Sequence, residues 1–123
     1  MRVVIVDPDL KAGRKLAASV EQLVPSADVL LYAAPDEALA GIGTHSPDVA
    51  FVAAAVDGLA GPEFLVKARA VTDDPKYVGV VDAPSADASI AWISAGAKLV
   101  VAKPVDDLGI RNALRHAAGG IDP

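Results

Sequence analysis

The chain of 123 residues contains no cysteine, which excludes a disulfide scaffold, a thiolate-bound zinc or iron–sulfur site and a thiol nucleophile. Histidine is nearly as scarce: His45 and His116 lie far apart and show no metal-ligand spacing. Positive charge is in deficit, with 11 basic against 16 acidic residues and a formal charge of -5, so nothing in the electrostatics favours DNA or RNA as a partner. No apolar run approaches the roughly 20 residues that span a bilayer. Met1 leads at once into Val3-Val4-Ile5-Val6 and Asp7, without the basic leader of a secretory signal, and the expected location is the cytoplasm. Phosphate-cradling glycines are missing too, because the first loop reads Asp7-Pro8-Asp9 where a dinucleotide or P-loop site needs them. Ser85-Ala86-Asp87 has no matching base for a triad. What remains is protein or small-molecule partners and no enzyme chemistry.

What is present is a large apolar fraction, 53%, which rules out intrinsic disorder and suits one domain with a real core. Residues 1–118 are expected to form that domain, and 119–123, beginning Gly119-Gly120, a tail or the start of a linker. Five short β-branched runs predict strands at Val3–Val6, Val29–Tyr32, Val49–Val52, Tyr77–Val81 and Leu99–Ala102. Longer amphipathic segments alternate with them. The first helix should bury Leu16, Val20, Leu23 and Val24, leave Lys11, Arg14, Lys15 and Glu21 to solvent, and stop at Pro25. The second should start at Pro35 and finish near Ile42-Gly43, and the third should follow Gly61-Pro62-Glu63 and bury Phe64, Leu65, Ala68 and Val71. Ser85 or Asp87 should cap the fourth, with Ile90, Ile93 and Ala97 inward and Gly96 as its stop. Asp106 or Asp107 should open the fifth, with Leu108, Ile110, Leu114 and Ala117 inward.

This alternation predicts a doubly wound α/β domain of the flavodoxin-like (βα)5 kind, a five-stranded parallel sheet in order 2-1-3-4-5. In such folds ligands and chemistry lie beyond the carboxyl ends of the strands. Those ends carry Asp7-Pro8-Asp9, Ala53 to Gly58, Asp82-Ala83-Pro84 and Lys103-Pro104. With Val-Ile-Val-Asp at strand one, Ser46-Pro47-Asp48 before strand three, Gly61 and Glu63-Phe64-Leu65 at helix three, Ala95-Gly96-Ala97 before strand five and Lys103-Pro104-Val105 after it, the chain resembles the receiver domains of bacterial two-component response regulators. The resemblance covers nearly the whole chain. It implies two adjacent carboxylates for magnesium in the first loop, a phosphoacceptor Asp ending strand three, and a Lys that contacts the phosphoryl group.

Counting from Pro47 and from Gly61 places that acceptor at residue 53, which is Ala53. Pro8 replaces the second metal-binding carboxylate, although Asp9 follows it; Val100 replaces the aromatic switch residue; and the hydroxyl switch position falls on Asp82, or on Val81 without a one-residue gap. The expectation is a pseudo-receiver: a signalling module that works without phosphorylation, through protein partners, among them a second copy or a fused output domain. Asp7, Asp9, Asp82 and Lys103 are then a remnant acidic pocket in which Lys103 pairs with Asp7, with Asp82 as a further candidate partner, and with residual magnesium at most. The alternatives are a receiver phosphorylated on the displaced Asp57, which otherwise reads as a turn residue beside Gly58, and a small-ligand sensor in the same crevice. Trp92, Val100 and Arg111 mark the expected interaction face, Trp92 being either a partly buried flank or a partner anchor. Arg111, Arg115 and His116 read as a solvated face, and His45 as a loop residue without chemistry.

Overall fold

A computed structural model describes residues 1–118, with side chains through Arg115. The tail at 119–123 and the side chains of His116 and Ala117 therefore lie outside the described residues. Five parallel strands form one sheet: β1 (Arg2–Val6), β2 (Asp28–Tyr32), β3 (Val49–Ala53), β6 (Lys76–Val81) and β7 (Leu99–Ala102), in the order β2-β1-β3-β6-β7. With the sheet strands renumbered one to five, this is the expected 2-1-3-4-5. No helix among the described residues is long and apolar enough to cross a membrane.

Alternate residues of each central strand feed two half-cores, as the two-residue period of a strand requires. Val4, Val6, Ala50, Val52, Tyr77 and Val81 pack on one face against α2 (Pro35–His45), α3 (Gly61–Val71) and α4 (Ala86–Ala95). Val3, Ile5, Val49, Phe51, Val78 and Val80 pack on the other against α1 (Leu10–Leu23) and α5 (Asp107–Ala118). Both faces are covered, which is why the strands read as continuous apolar runs.

Four local expectations are corrected. The second helix continues past Gly43 to His45: the Ser46 N–H still donates to Ile42 O, and the left-handed conformation of Ser46 (φ 48°) then ends the helix. A hairpin not foreseen, β4 (Ala55–Val56) with β5 (Leu59–Ala60), follows β3. Its turn is Asp57-Gly58, both at positive φ (41° and 84°), as the mirror-image two-residue hairpin turns require. Val71 and Leu108, expected inward, are 49% and 66% exposed. The largest correction concerns α4: Ile90 and Ile93 are 64% and 51% exposed, while Trp92 is buried at 2%. A slot on the sheet explains it. Side chains at Gly79 of β6 or at Gly61 of α3 would collide with the Trp92 ring, so the missing side chains there make room for an indole and turn the two isoleucines out.

Candidate functional site

Asp7 follows β1 and is tied to the sheet by its N–H, which donates to Tyr32 O at 3.0 Å. It is the one buried charged residue, 6% exposed, among the described residues. Its carboxylate has two partners: Oδ1 accepts from Asp9 N–H at 2.9 Å, and Oδ2 meets Lys103 Nζ at 2.9 Å. Lys103 is aimed by its own backbone, whose N–H donates to Val81 O at 2.8 Å, and its peptide bond to Pro104 is cis. A buried carboxylate is tolerated when it is paired and hydrogen-bonded, and here it is both.

Asp9 is turned away from Asp7. Its carboxylate accepts from the N–H groups of Lys11 and Ala12 at 3.1 and 3.2 Å and so caps α1. This role was legible in principle, since an Asp directly before a helical pattern is a standard cap. Asp82, just beyond β6, is exposed, and the ion pair of Lys103 is with Asp7. Ala53 ends β3 at 4% exposure. Asp57 sits at the exposed turn of the β4–β5 hairpin and does not line the crevice.

The donor set does not fit the magnesium site that the resemblance implies. Pro8 and Ala53 offer no side-chain oxygen, Asp7 is closed on Lys103, and Asp9 is committed to the helix cap. Among the described residues no group of three or more His, Asp or Glu is placed to hold a metal ion. Asp7, Asp9 and Asp82 all border the crevice, but they are not grouped so as to offer their oxygens to one ion.

The expected interaction face changes composition. Trp92 is buried, its ring packed where Gly61 and Gly79 leave room, and Gly61 also stands close to the carbonyl oxygen of Ala53. Val100 is half-buried in β7 against the α2–α4 half-core. Only Arg111 of the three is exposed. On α4 and at the start of α5 the large apolar side chains that face solvent are Ile90, Ile93 and Leu108, and Ile93 borders a cavity beside Arg69 and Asp73.

Between α1 and the β7–α5 connection opens a cavity of about 460 Å³. Asp7, Asp9, Asp82 and Lys103 line it, together with Lys11, Ala12, Lys15, Leu16, Val80, Pro104 and Val105. Sequence reasoning assigned Lys11 and Lys15 to solvent; their spacing of four along α1 was the available signal that they share one wall.

No protein-family model matches the chain, and no curated protein matches it. Solved structures do. A CheY-like response regulator receiver domain protein from Methanospirillum hungatei superposes with a TM-score of 0.84 at 24% identity, covering 96% of this chain and 93% of that one. The receiver domain of a DNA-binding response regulator from Colwellia psychrerythraea gives 0.87 at 18% identity over 98% and 99%. A response regulator from Burkholderia pseudomallei, whose structure contains a phosphorylated aspartic acid, gives 0.83 at 19% identity over 96% of this chain and 68% of that one. The chain has the receiver fold; activity has to be argued from the site.

Proposed function

We propose that this chain is a receiver-like signalling module, not an enzyme, that acts through protein contacts and takes no phosphoryl group. The observation that carries the reading is the buried methyl group of Ala53 at the end of β3, where the receiver pattern has its acceptor. An aspartyl phosphate needs a carboxylate nucleophile, and a metal and an ammonium to neutralise the charge on the transferring group. Here the nucleophile is replaced, and Asp7 and Lys103 neutralise each other. The Burkholderia structure contains a phosphorylated aspartic acid and a calcium ion; residue 53 of this chain has no side-chain oxygen to phosphorylate. A ligand shifts a conformational equilibrium only by its differential affinity for the two states. Without that input, control passes to the abundance, location or state of the partner, or to a domain fused to this one.

The contact residues in this reading are the exposed apolar side chains of α4, Ile90 and Ile93, with Leu108 and Arg111 of α5 as further candidates. To test the first half, the protein is incubated with magnesium and acetyl phosphate, or with beryllofluoride, and followed by intact mass and amide shifts. The expected result is an unchanged mass and unchanged crevice amides. A stoichiometric adduct overturns the reading, and its loss in Asp57→Asn assigns it to the displaced aspartate. For the second half, Ile90→Glu and Ile93→Glu are expected to abolish capture of a native partner while leaving the melting temperature unchanged. Capture that survives both moves the interface elsewhere.

A further inference from the structure

We propose that the chain associates with a second copy of itself through the α3 flank of α4, as a two-fold dimer in which α4 lies antiparallel to α4 of the copy. The proposal rests on the reading of Ile90 and Ile93 as contact residues and states what they meet. Both are exposed, and their spacing of three makes them neighbours on the helix surface. Ile93 borders the cavity whose opposite wall includes Arg69 of α3, so this apolar pair leans toward α3. Arg69 ties the two helices together by donating to Ala95 O at 2.9 Å. Val66, three residues before Arg69 on α3, adds another exposed aliphatic side chain. Covering such side chains with a matching apolar surface is favourable.

The order of charges along the helices selects a second copy as the occupant. α3 and α4 each connect two parallel strands of one sheet and so run in the same direction. Their first turns carry Glu63 and Asp87. Their far ends carry Arg69, Lys76 and Lys98 against Asp73 and the adjacent Asp74, so one end is negative and the other keeps a positive excess, with Lys67 between them. Asp73 is held by Arg69 at 2.7 Å, whereas Asp87 and Lys98 have no ion-pair partner among the described residues. Asp87 stands three residues before Ile90, and Gly96 three residues after Ile93. A two-fold axis that sets Ile90 of each copy against Ile93 of the other therefore also sets Asp87 opposite Gly96, where the Arg69 guanidinium lies and Lys98 follows. The surface is complementary to its own reverse, which is what an isologous contact requires. A uniformly acidic or basic partner would match only one end.

The test is sedimentation velocity of the whole chain at concentrations up to about 1 mM, where a contact this small is expected to dimerise with Kd of about 100 μM. Added sodium chloride is expected to weaken the dimer by screening the two end contacts. Ile93→Ser is expected to weaken it about tenfold. Asp87→Lys and Lys98→Glu, each of which brings like charges together at both ends, are also expected to weaken it about tenfold. An equimolar mixture of these two charge variants is expected to dimerise again, because both contacts between unlike chains then pair opposite charges. Leu108→Glu on α5 is expected to leave association unchanged. A chain that stays monomeric throughout overturns the proposal and leaves partner capture through Ile90 and Ile93 standing. A dimer that is indifferent to Ile93→Ser, that is broken by Leu108→Glu, or whose two charge variants associate no better mixed than alone overturns it as well.

Discussion

Asp7 and Lys103 form one ion pair, but removing either partner has a different consequence. The Asp7 side chain keeps 8% of its surface in solvent and that of Lys103 26%. When Asp7 is replaced by Asn, the lysine can swing its ammonium outward into water. When Lys103 is replaced by Met, a carboxylate stays buried with only the Asp9 N–H as donor. Lys103→Met is therefore expected to lower stability by about 2 kcal/mol, below the roughly 3–5 kcal/mol of fully buried pairs because Lys103 retains solvent contact. Asp7→Asn is expected to lose about 1 kcal/mol. Urea denaturation of the two variants orders them, and the reverse order refutes the assignment of burial.

Tyr77 gives the clearest pH dependence. Burial of its ring pushes the phenol from its ordinary 10.0 up to about 12, reinforced by Asp73 and opposed by Arg69. Its hydroxyl donates to Thr72 O at 2.8 Å, a bond that only the protonated form makes. The folded state thus holds this proton more tightly than the unfolded chain. The resulting stability is fully present below pH 10 and is lost as pH rises from there toward 12, by up to about 2–3 kcal/mol. Tyr77→Phe is expected to flatten that part of the stability curve, with tyrosinate absorbance as the direct readout. At the acid end, the hydrogen bond and charge of Arg69 lower the Asp73 carboxyl. That exposed pair contributes above the ordinary Asp range and fades as pH falls through the lowered value.

At the scale of elements, α4 is where sequence periodicity and tertiary packing part. Its cap and its stop follow from local chemistry: Ser85 Oγ accepts from Ala88 N–H at 3.0 Å, and Gly96 ends the helix at φ 114°. Its buried stripe does not. Trp92 with Ala95 competes with Ile90 and Ile93 for the sheet, and the winner depends on Gly79 and Gly61, which belong to other elements. Trp92→Ala is accordingly expected to cost about 3–5 kcal/mol, whereas Ile93→Ser stays within about 0.5 kcal/mol. Gly79→Ala is expected to displace the indole, seen as a red shift of the single-tryptophan emission together with a lower melting temperature. If Ile93→Ser proves as damaging as Trp92→Ala, the orientation of α4 is wrong. The β4–β5 hairpin escaped the sequence reading for a related reason. Two-residue strands carry too little pattern to register, although Asp57-Gly58 is the turn pair such a hairpin prefers.

For the whole molecule, the two half-cores and the crevice divide the work. Val, Ile and Phe of the central strands are buried on both faces, so the sheet is a rigid platform that holds the ends of β1, β6 and β7 in place. Millimolar magnesium is expected to leave the melting temperature unchanged, because a ligand that binds only the folded state stabilises by mass action and the carboxylates of the crevice do not converge on a cation. A rise in melting temperature reversed by chelator counts against that expectation.

Taken by itself, the sequence determined the five strands, their order, the helical segments between them and the residue at position 53, because hydrophobic period and spacing are local and survive being read along a line. It also narrowed the partner of Lys103 to Asp7 or Asp82, between which the structure chose Asp7. Only the tertiary structure decided that Asp9 caps α1, that Lys11 and Lys15 border a cavity, and that Trp92 faces in while Ile90 and Ile93 face out. Those outcomes depend on which distant element supplies the complementary space or charge. The single tryptophan of the chain occupies a place where two glycines from separate elements leave room for it.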